Sequence, residues 1–235
     1  MTFGSPRRHF RRCDSTNERA RELAGAGAPG GTVVTAAEQS AGRGRQGRDW
    51  TAPAGKALLY SALLRPLERR HLTLPLAVPL AVAEAAEALA PVACELKWPN
   101  DVWIGGRKCA GVLIEARPAD GWAVIGVGLN LTIEAGEFPA ELRETATSLG
   151  HGADPESALA ALNAGLERWA AAEPEAVVAA FRERDALRGR RIGWESGEGV
   201  AAGIDERGNL LVDTGPGEQL SLGAGEVHLR LDASG

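Results

Sequence analysis

The chain has 235 residues with a formal net charge of -5, and 44% of its residues are hydrophobic against 24% charged. This composition predicts a packed globular protein and excludes a disordered chain. The most apolar stretch, residues 72–90, is interrupted by prolines and glutamates, so we expect no membrane partner. The N-terminal arginines are not followed by an apolar segment, so we expect no secretory signal.

Cysteine, histidine and lysine usage narrows the possible chemistry. Wide, irregular spacing of the cysteines and histidines indicates reduced thiols in a cytoplasmic protein and no zinc site. No GxSxG turn suggests a covalent nucleophile. Among 26 basic residues only three are lysines, which suggests that a compact ammonium is needed where they stand. The residues concerned are Cys13, Cys94, Cys109, His9, His71, His151, His228, Lys56, Lys97 and Lys108.

The first 187 residues predict an α+β domain with a mixed sheet. Asp14–Asn17, followed by a polar stretch and a glycine-rich stop, predicts the first helix. Further helices are predicted over residues 74–90, 155–172 and 174–187. Strands are predicted over residues 32–37, 58–64, 95–98, 102–104, 109–116 and 122–131, with a hairpin signal at Gly105-Gly106.

The pattern changes after Leu187. Short apolar runs are separated by glycine-rich turns about every ten residues, which is typical of a small all-β barrel. We therefore expect two domains, residues 1–187 and residues 188–235.

Residues 42–50 read GRGRQGRDW and form the most informative segment. Its glycines allow sharp bends and close approach to a ligand, and its arginines supply donors suited to phosphate and carboxylate. A basic loop in an acidic protein suggests a small anionic ligand. Taken alone, the loop is also consistent with a solvated surface loop or an RGG-type nucleic-acid patch.

Residues 97–103 read KWPNDVW and predict a rigid turn. Pro99 keeps Trp98 out of helical geometry, and the following Asn-Asp pair favours a tight turn. The turn projects Lys97, which could meet a phosphate, and Asp101, which could fix that lysine or help to hold Mg²⁺. An ordinary strand–turn–strand with two core tryptophans is equally compatible with this segment.

Two further segments, RKCAGVLIE (107–115) and GVGLNL (126–131), place glycines inside apolar strands. Glycine at such a position allows another group to approach the backbone closely. Lys108 precedes the glycine of the first segment. Asn130 lies near the end of the second segment, and its side-chain amide could form hydrogen bonds with the edge of an adenine base. Each segment alone is also typical of a core strand with a tight crossing.

Taken in order, DSTN (14–17), the loop ending at Trp50, KWPND (97–101), KxAGxLxE (108–115) and GxGxN (126–130) resemble the biotin–protein ligases, or biotin–[acetyl-CoA-carboxylase] ligases. The resemblance covers essentially the whole chain. It implies a mixed sheet flanked by helices, like that of class II aminoacyl-tRNA synthetases, with a small SH3-like β-barrel at the C-terminus.

The resemblance also implies a reaction. Family members couple biotin to ATP, with Mg²⁺, to form biotinoyl-5′-AMP. They then transfer the biotinoyl group to a lysine of the biotin carboxyl carrier domain of an acyl-CoA carboxylase. No enzyme nucleophile is needed, since catalysis is mostly positioning and neutralisation of charge.

The family's site residues map onto this sequence by motif. The implied biotin-binding residues are Ser15, Thr16, Asn17, Gln39, Gly42, Arg43, Gly44, Arg45, Lys108 and Gly111. The implied ATP- and adenylate-binding residues are Arg43, Arg45, Arg48, Trp50, Lys97 and Asn130, and the implied catalytic residues are Lys108, Arg45, Arg48 and Lys97. Asp101 is expected to orient Lys97 or to contact a magnesium-bound water.

Some family members carry an N-terminal winged helix and repress transcription, whereas only 13 residues precede Asp14 here. We therefore expect no repressor activity and no nucleic-acid partner, with Arg7, Arg8, Arg11 and Arg12 in a frayed terminus. The expected assembly is a monomer or a homodimer. Two alternatives stay open, a lipoate–protein ligase or octanoyl transferase of the same fold, and an RNA-binding module.

Overall fold

The computed structural model describes residues 1–224 and the backbone of residues 230–231. Its helices are α1 Thr16–Gly25, α2 Leu74–Leu89, α3 Pro155–Ala170 and α4 Pro174–Glu183. Its strands are β1 Arg7–Phe10, β2 Val33–Ala36, β3 Ala57–Leu64, β4 Cys94–Lys97, β5 Asp101–Ile104, β6 Arg107–Arg117, β7 Trp122–Asn130, β8 Arg191–Trp194, β9 Gly197–Ile204, β10 Leu210–Gly215, β11 Glu218–Leu222 and β12 Arg230–Leu231.

Seven strands form one mixed sheet in the order β1-β2-β3-β7-β6-β5-β4. The β1–β2 pair is parallel, and the remaining pairs are antiparallel. This sheet with its flanking helices confirms the predicted α+β class. The paired strands β6 and β7, predicted as neighbours, set Gly111 opposite Gly128 and Leu113 opposite Gly126.

The two faces of this sheet have different roles. Alternate residues such as Leu58 and Tyr60 of β3 enter the main core beneath α2 and α3, because successive side chains of a strand point to opposite faces. The opposite face is covered by α1 only over β2, β3 and β7. Helix α1 does not extend over β6, β5 and β4 on this face, and the candidate site lies over these strands.

The C-terminal strands form a second, antiparallel sheet in the order β11-β10-β9-β8-β12, which confirms the predicted all-β C-terminal part. It shares a core with the first sheet, since Ile192 and Val212 belong to the same buried cluster as Leu96 of β4. The Trp98 indole nitrogen also donates to the Gly208 carbonyl at 3.0 Å. The domain boundary at 187/188 stays a prediction. Residues 225–229 and 232–235 of the predicted C-terminal domain, which include His228, lie outside the described residues.

The prediction of a frayed basic N-terminus was wrong. Arg7–Phe10 forms β1 and pairs in parallel with β2. The Arg7 guanidinium contacts a Glu156 carboxylate oxygen at 2.6 Å and the Thr35 hydroxyl at 3.2 Å. These partners come from β2 and from α3, so a local sequence pattern could not reveal them.

Two further differences concern helices. The fourth helix ends at Glu183 rather than near 187, because Arg184 and Ala186 exchange backbone hydrogen bonds of 2.7 and 3.0 Å with Leu96 at the edge of β4. Residues 69–89 are long and apolar enough to cross a membrane, but two thirds of the apolar 18-residue window within this stretch is buried inside the protein. It therefore serves as a core helix, as the interrupting prolines and glutamates suggested.

Candidate active site

A cavity of about 460 Å³ lies on the sheet face that α1 leaves open. It brings together nearly all the residues predicted for the site, from α1, the 42–50 loop and strands β4 to β7. These residues are Ser15, Thr16, Asn17, Gln39, Arg43, Gly44, Arg45, Arg48, Trp50, Lys97, Asp101, Lys108, Gly111 and Asn130. Gly42 does not line it, because its α-carbon packs against the Trp50 carbonyl, where an added Cβ would lie at 2.3 Å.

One part of the cavity is lined by the polar side chains of Ser15, Thr16, Asn17 and Gln39, of which all but the half-buried Gln39 are buried. We call these four residues, together with the buried Ser61 that is hydrogen-bonded behind them, the polar base. The Gln39 side-chain oxygen accepts from the Thr16 amide at 2.7 Å and lies 3.0 Å from the Thr16 hydroxyl. The Ser61 hydroxyl donates to the Asn17 amide oxygen at 2.6 Å. These contacts fix the polar side chains at the start of α1, and such a set of uncharged donors and acceptors suits an uncharged polar group of a ligand.

Ser61 was missed by the sequence analysis. It is fully buried on β3, on the same sheet face as Leu59. A hydroxyl in the middle of an otherwise apolar strand was an available signal, because buried polar groups require partners.

The glycines of β6 and β7 make room for protein side chains. A Cβ on Gly126 would lie 2.2 Å from the Asn17 amide oxygen, and one on Gly128 would lie 2.3 Å from the Trp50 ring. Gly111, opposite Gly128, also lies under Trp50, whose ring would be 3.0 Å from an added Cβ. The close approach predicted for these glycines is therefore confirmed, and the approaching groups are Asn17 and Trp50.

Lys108 reaches the cavity because of a β-bulge. The β5–β6 register sets Asp101 opposite Gly111 but Trp103 opposite Lys108, with the shift between Val102 and Trp103. Cys109 and Ala110 both enter the core as a result. Regular alternation would place Lys108 on the core face with Ala110, whereas the extra residue turns its side chain to the cavity.

The bulged backbone is satisfied by a segment that the sequence analysis left unassigned. The Lys108 amide donates to the Thr145 carbonyl, and its carbonyl accepts from the Thr147 amide, both at 2.8 Å. The same segment supplies cavity-lining residues that were not predicted, namely Phe138, Leu142, Thr145 and Ala146. They lie in short 3-10 turns or in the irregular chain beside them, and such segments have no periodicity to detect.

Asp101 is bonded to Lys108 and not to Lys97, which corrects one of its two predicted roles. The Lys108 ammonium donates to an Asp101 oxygen at 2.6 Å, and it lies 5.6 Å from the centre of the Trp50 ring. Lys97, opposite Asp101 in the β4–β5 ladder, lies over the Trp103 ring at 5.0 Å. Burial lowers the pKa of Lys97 from its ordinary value of 10.5, and the charge of Asp101 opposes this only in part.

The 42–50 loop is ordered by its own backbone. Trp50 and Gly42 are joined by a 2.9 Å hydrogen bond, and the Gly44 amide donates to the Arg48 carbonyl at 2.6 Å. The tip turns at Gln46 and Gly47, which have φ angles of 56° and 73°. Positive φ costs little at glycine, so Gly47 suits this tip.

The arginines of the loop differ in their surroundings. Burial lowers the pKa of Arg45, whose guanidinium donates to the Ala224 carbonyl of the C-terminal part. Arg43 contacts carboxylate oxygens of Glu18 at 3.2 Å and Glu115 at 3.5 Å. Arg48 is exposed at the rim.

The cavity carries an excess of positive charge. Within the described residues its lining has five cations and two carboxylates, which are Arg43, Arg45, Arg48, Lys97, Lys108, Asp49 and Asp101. Asn130 is buried beside them and donates to the Thr147 carbonyl at 2.9 Å. An anion with several negative charges is therefore the ligand that this part of the cavity suits.

Neither a metal site of protein ligands nor a reactive thiol stands out in the described part of the chain. It holds no group of three or more His, Cys, Asp or Glu side chains able to bind a metal ion. The metal contact of Asp101 stays a prediction. A hydrogen bond to Cys94 and burial raise the pKa of the Cys109 thiol beside Lys108, so that this sulfur is a neutral core group.

Comparison with known proteins agrees with this geometry. The pattern of the Biotin/lipoate A/B protein ligase family matches residues 9–130, and that of the Biotin protein ligase C terminal domain matches residues 190–230. A biotin–[acetyl-CoA-carboxylase] ligase of Paracoccus denitrificans is 34% identical over 238 residues, 92% of this chain and 97% of the relative.

Other relatives differ in length. The bifunctional ligase/repressor BirA of Bacillus spizizenii is 42% identical over 142 residues, 57% of this chain and 43% of the relative. The chain thus matches less than half of that protein. The structure of biotin protein ligase from Aquifex aeolicus in complex with biotin and ATP superposes with a TM-score of 0.83 at 28% identity, covering 97% of this chain and 100% of that chain. With more than half of its length matched by the first family pattern, the chain belongs to the biotin/lipoate A/B protein ligase family.

Proposed function

We propose that this protein is an ATP-dependent biotin–protein ligase. It activates biotin as biotinoyl-5′-AMP and transfers the biotinoyl group to one lysine of the biotin carboxyl carrier domain of an acyl-CoA carboxylase. The observation that carries the proposal is one cavity with an uncharged polar base at one end and a cluster of five cations around its remainder. Such a cavity suits an acid with a neutral polar head group beside a polyphosphate.

The first step joins two anions. A biotin carboxylate oxygen attacks the α-phosphorus of ATP, the bond to the β-phosphate oxygen breaks, and pyrophosphate leaves. Lys108 neutralises the carboxylate and the developing anhydride, while Arg48 and Lys97 neutralise the phosphates. The ureido head group of biotin binds Ser15, Thr16 and Gln39.

Further residues hold the nucleotide and complete the reaction. Trp50 and Asn130 border the adenine. Mg²⁺ usually binds through one or two carboxylates together with substrate phosphates, and Asp101 and Asp49, which line the cavity, would hold it. When bound, it adds positive charge beside the phosphates. In the second step the acceptor amine attacks the acyl carbon and AMP leaves, so no protein nucleophile is required.

The decisive experiment is the mass of a purified carrier domain after incubation with this protein, biotin and MgATP. A gain of one biotinoyl group, absent when biotin is omitted, is the expected result. An unchanged mass, with no biotinoyl-AMP formed, would overturn the proposal. A lipoate ligase would instead show ATP–pyrophosphate exchange with lipoate and not with biotin, and an RNA-binding module would show salt-sensitive RNA binding without ATP use.

The remaining expectations accompany this proposal. We place the protein in the cytoplasm, as a monomer or a homodimer, without repressor activity or a nucleic-acid partner. The division at 187/188 separates the ligase domain from the C-terminal β-domain, which agrees with the start of the second sheet at Arg191.

Arg45→Ala is expected to release biotinoyl-AMP about 10- to 100-fold faster than the parent. The substitution removes the hydrogen bond from the Arg45 guanidinium to the Ala224 carbonyl, and a hydrogen bond with a charged partner contributes about 1.5–3 kcal/mol. A loss of about 1.4 kcal/mol corresponds to a tenfold change in an equilibrium or rate constant. Release is measured from a preformed complex by filtration of labelled adenylate. Arg182→Ala is the matched control, because Arg182 donates to the Ile204 carbonyl at 2.7 Å and does not line the cavity. Equal release by parent and Arg45→Ala would remove this role.

Burial lowers the pKa of Lys97 below its ordinary value of 10.5. We therefore expect biotinoyl-AMP formation to decline with rising pH before pH 10.5 is reached. The charged form is needed for phosphate, so activity is lost as pH rises through the lowered pKa. Arginine stays charged, and Lys97→Arg should therefore move the alkaline limb of kcat/KM for ATP upward. Lys56→Arg, which retains the contact to Glu137, should leave the limb in place. An unmoved limb in Lys97→Arg would assign the titration to another group.

A further inference from the structure

Glu115 lies where the polar base meets the basic loop. It belongs to β6, and its side chain is 27% exposed. One of its carboxylate oxygens accepts from the Asn17 amide at 2.8 Å, and the same oxygen lies 3.5 Å from the Arg43 guanidinium. A single carboxylate therefore contacts the base of the cavity and the loop that covers it.

Glu115 fixes the orientation of the Asn17 amide. The Asn17 oxygen accepts from Ser61 at 2.6 Å, and its nitrogen donates to Glu115 and, at 3.4 Å, to the Leu113 carbonyl. A flipped amide would set its oxygen against the carboxylate, which only accepts hydrogen bonds. The carboxylate thus determines which Asn17 atom faces Ser61 and Gly126.

Glu115 also holds the loop through a closed ring of charges. Arg43 contacts Glu18 at 3.2 Å and Glu115 at 3.5 Å. Arg21 contacts the same two carboxylates at 3.2 and 3.6 Å. Isolated surface ion pairs contribute little, whereas a ring in which each cation has two partners holds its members together. Arg43 is the one member of this ring that belongs to the loop.

We propose that Glu115 is a positioning residue that couples ligand in the polar base to closure of the 42–50 loop. This inference rests on the proposed function. Asn17 lines the cavity beside Ser15 and Thr16 and is one of the predicted biotin-binding residues. A head group bound there packs against Asn17, the Asn17 amide holds Glu115, and Glu115 holds Arg43 and with it the closed loop. Arg43 then holds the loop closed through its ion pairs with Glu18 and Glu115 and does not bind phosphate. Glu115 touches neither reacting atom.

The test is a double-mutant cycle with Glu115→Gln, Arg43→Gln and the combined variant. Glu115→Gln is expected to weaken biotin binding without ATP about tenfold, by calorimetry, and to speed release of biotinoyl-AMP about tenfold. Arg43→Gln should speed release to a similar extent while changing biotin affinity less. The combined variant should release adenylate no faster than the faster single variant, because both changes break one connection.

Glu156→Gln is the matched control. It removes a carboxylate from the ion pair with Arg7, which does not line the cavity, and should leave both readouts at parent values. The thermal midpoint of each variant separates a positioning role from general loss of structure. If Glu115→Gln does not fold, Arg21→Gln removes a cation from the same ring and completes the cycle with Arg43→Gln.

Two outcomes overturn the inference. Release rates that multiply in the combined variant would show that Glu115 and Arg43 act independently. Parent-like affinity and release in Glu115→Gln would show that Glu115 positions neither group. Failure of the parent to form biotinoyl-AMP would instead refute the proposed function, so the two failures are distinguishable.

Discussion

Lys108→Ala is expected to lower the rate of biotinoyl-AMP formation by about 100- to 1,000-fold, the usual loss when one preorganised donor to a developing anion is removed. The ammonium is bonded to Asp101 at 2.6 Å and turned into the cavity by the bulge at Cys109. Without it the biotin carboxylate meets both the phosphate and an uncompensated Asp101. The rate is measured as biotin-dependent pyrophosphate release.

Lys56→Ala provides the control for this prediction. Lys56 also pairs its ammonium with a carboxylate, that of Glu137, at 2.5 Å, but it does not line the cavity. Its loss should leave pyrophosphate release within about twofold of the parent, as for most surface substitutions. Near-normal release by Lys108→Ala would show that another cation serves the carboxylate.

Gly128→Ala is expected to reduce kcat/KM for biotin about 100-fold, because a misplacement of about 1 Å in a site can cost that much. Its Cβ would lie 2.3–2.6 Å from three atoms of the Trp50 ring, so Trp50 and the loop that ends there must move. Overpacking of this kind also lowers the free energy of unfolding by about 1–3 kcal/mol. Initial rates and urea unfolding measure the two effects.

A matched glycine and a second substitution sharpen this test. Gly25→Ala adds the same methyl at the end of α1, where no atom lies within 4 Å, and should lower neither quantity, because alanine favours a helix more than glycine does. Trp50→Phe, combined with Gly128→Ala, removes the indole nitrogen and part of the ring that clash, and should recover part of the activity. A fully active Gly128→Ala would show that the position of Trp50 is not critical.

The sequence revealed the components of the site better than their arrangement. Residues 42–50 and Lys97–Asp101 could be recognised because glycine, arginine and proline impose local backbone and charge whatever their tertiary surroundings. The side-chain partners could not be read in the same way. Asp101 was assigned to Lys97, its neighbour in the ladder, whereas a bulge one strand further brings Lys108 to it. A bulge arises from the pairing of two strands, so the alternation of apolar and polar residues within one strand does not reveal it.

Other omissions have similar causes. Glu115 was quoted as the end of a motif but given no role, since its partners Asn17 and Arg43 lie far from it in the chain. The segment carrying Phe138 and Leu142 has no helix or strand period, so its place over the cavity follows only from tertiary contacts. The glycines at 126 and 128 were correctly expected to admit a close neighbour, but the sequence did not indicate which residue that neighbour would be.

The hydrogen bond from Trp98 to the Gly208 carbonyl ties the turn that presents Lys97 and Asp101 to the far end of the polypeptide. Trp98 is 1% exposed, and Leu76 packs against Gly208. A fragment ending at Leu187 would therefore leave the Trp98 N–H without its Gly208 carbonyl partner. The C-terminal β-sheet therefore supports the turn that carries Lys97 and Asp101, and we expect its removal to lower the activity proposed for the cavity.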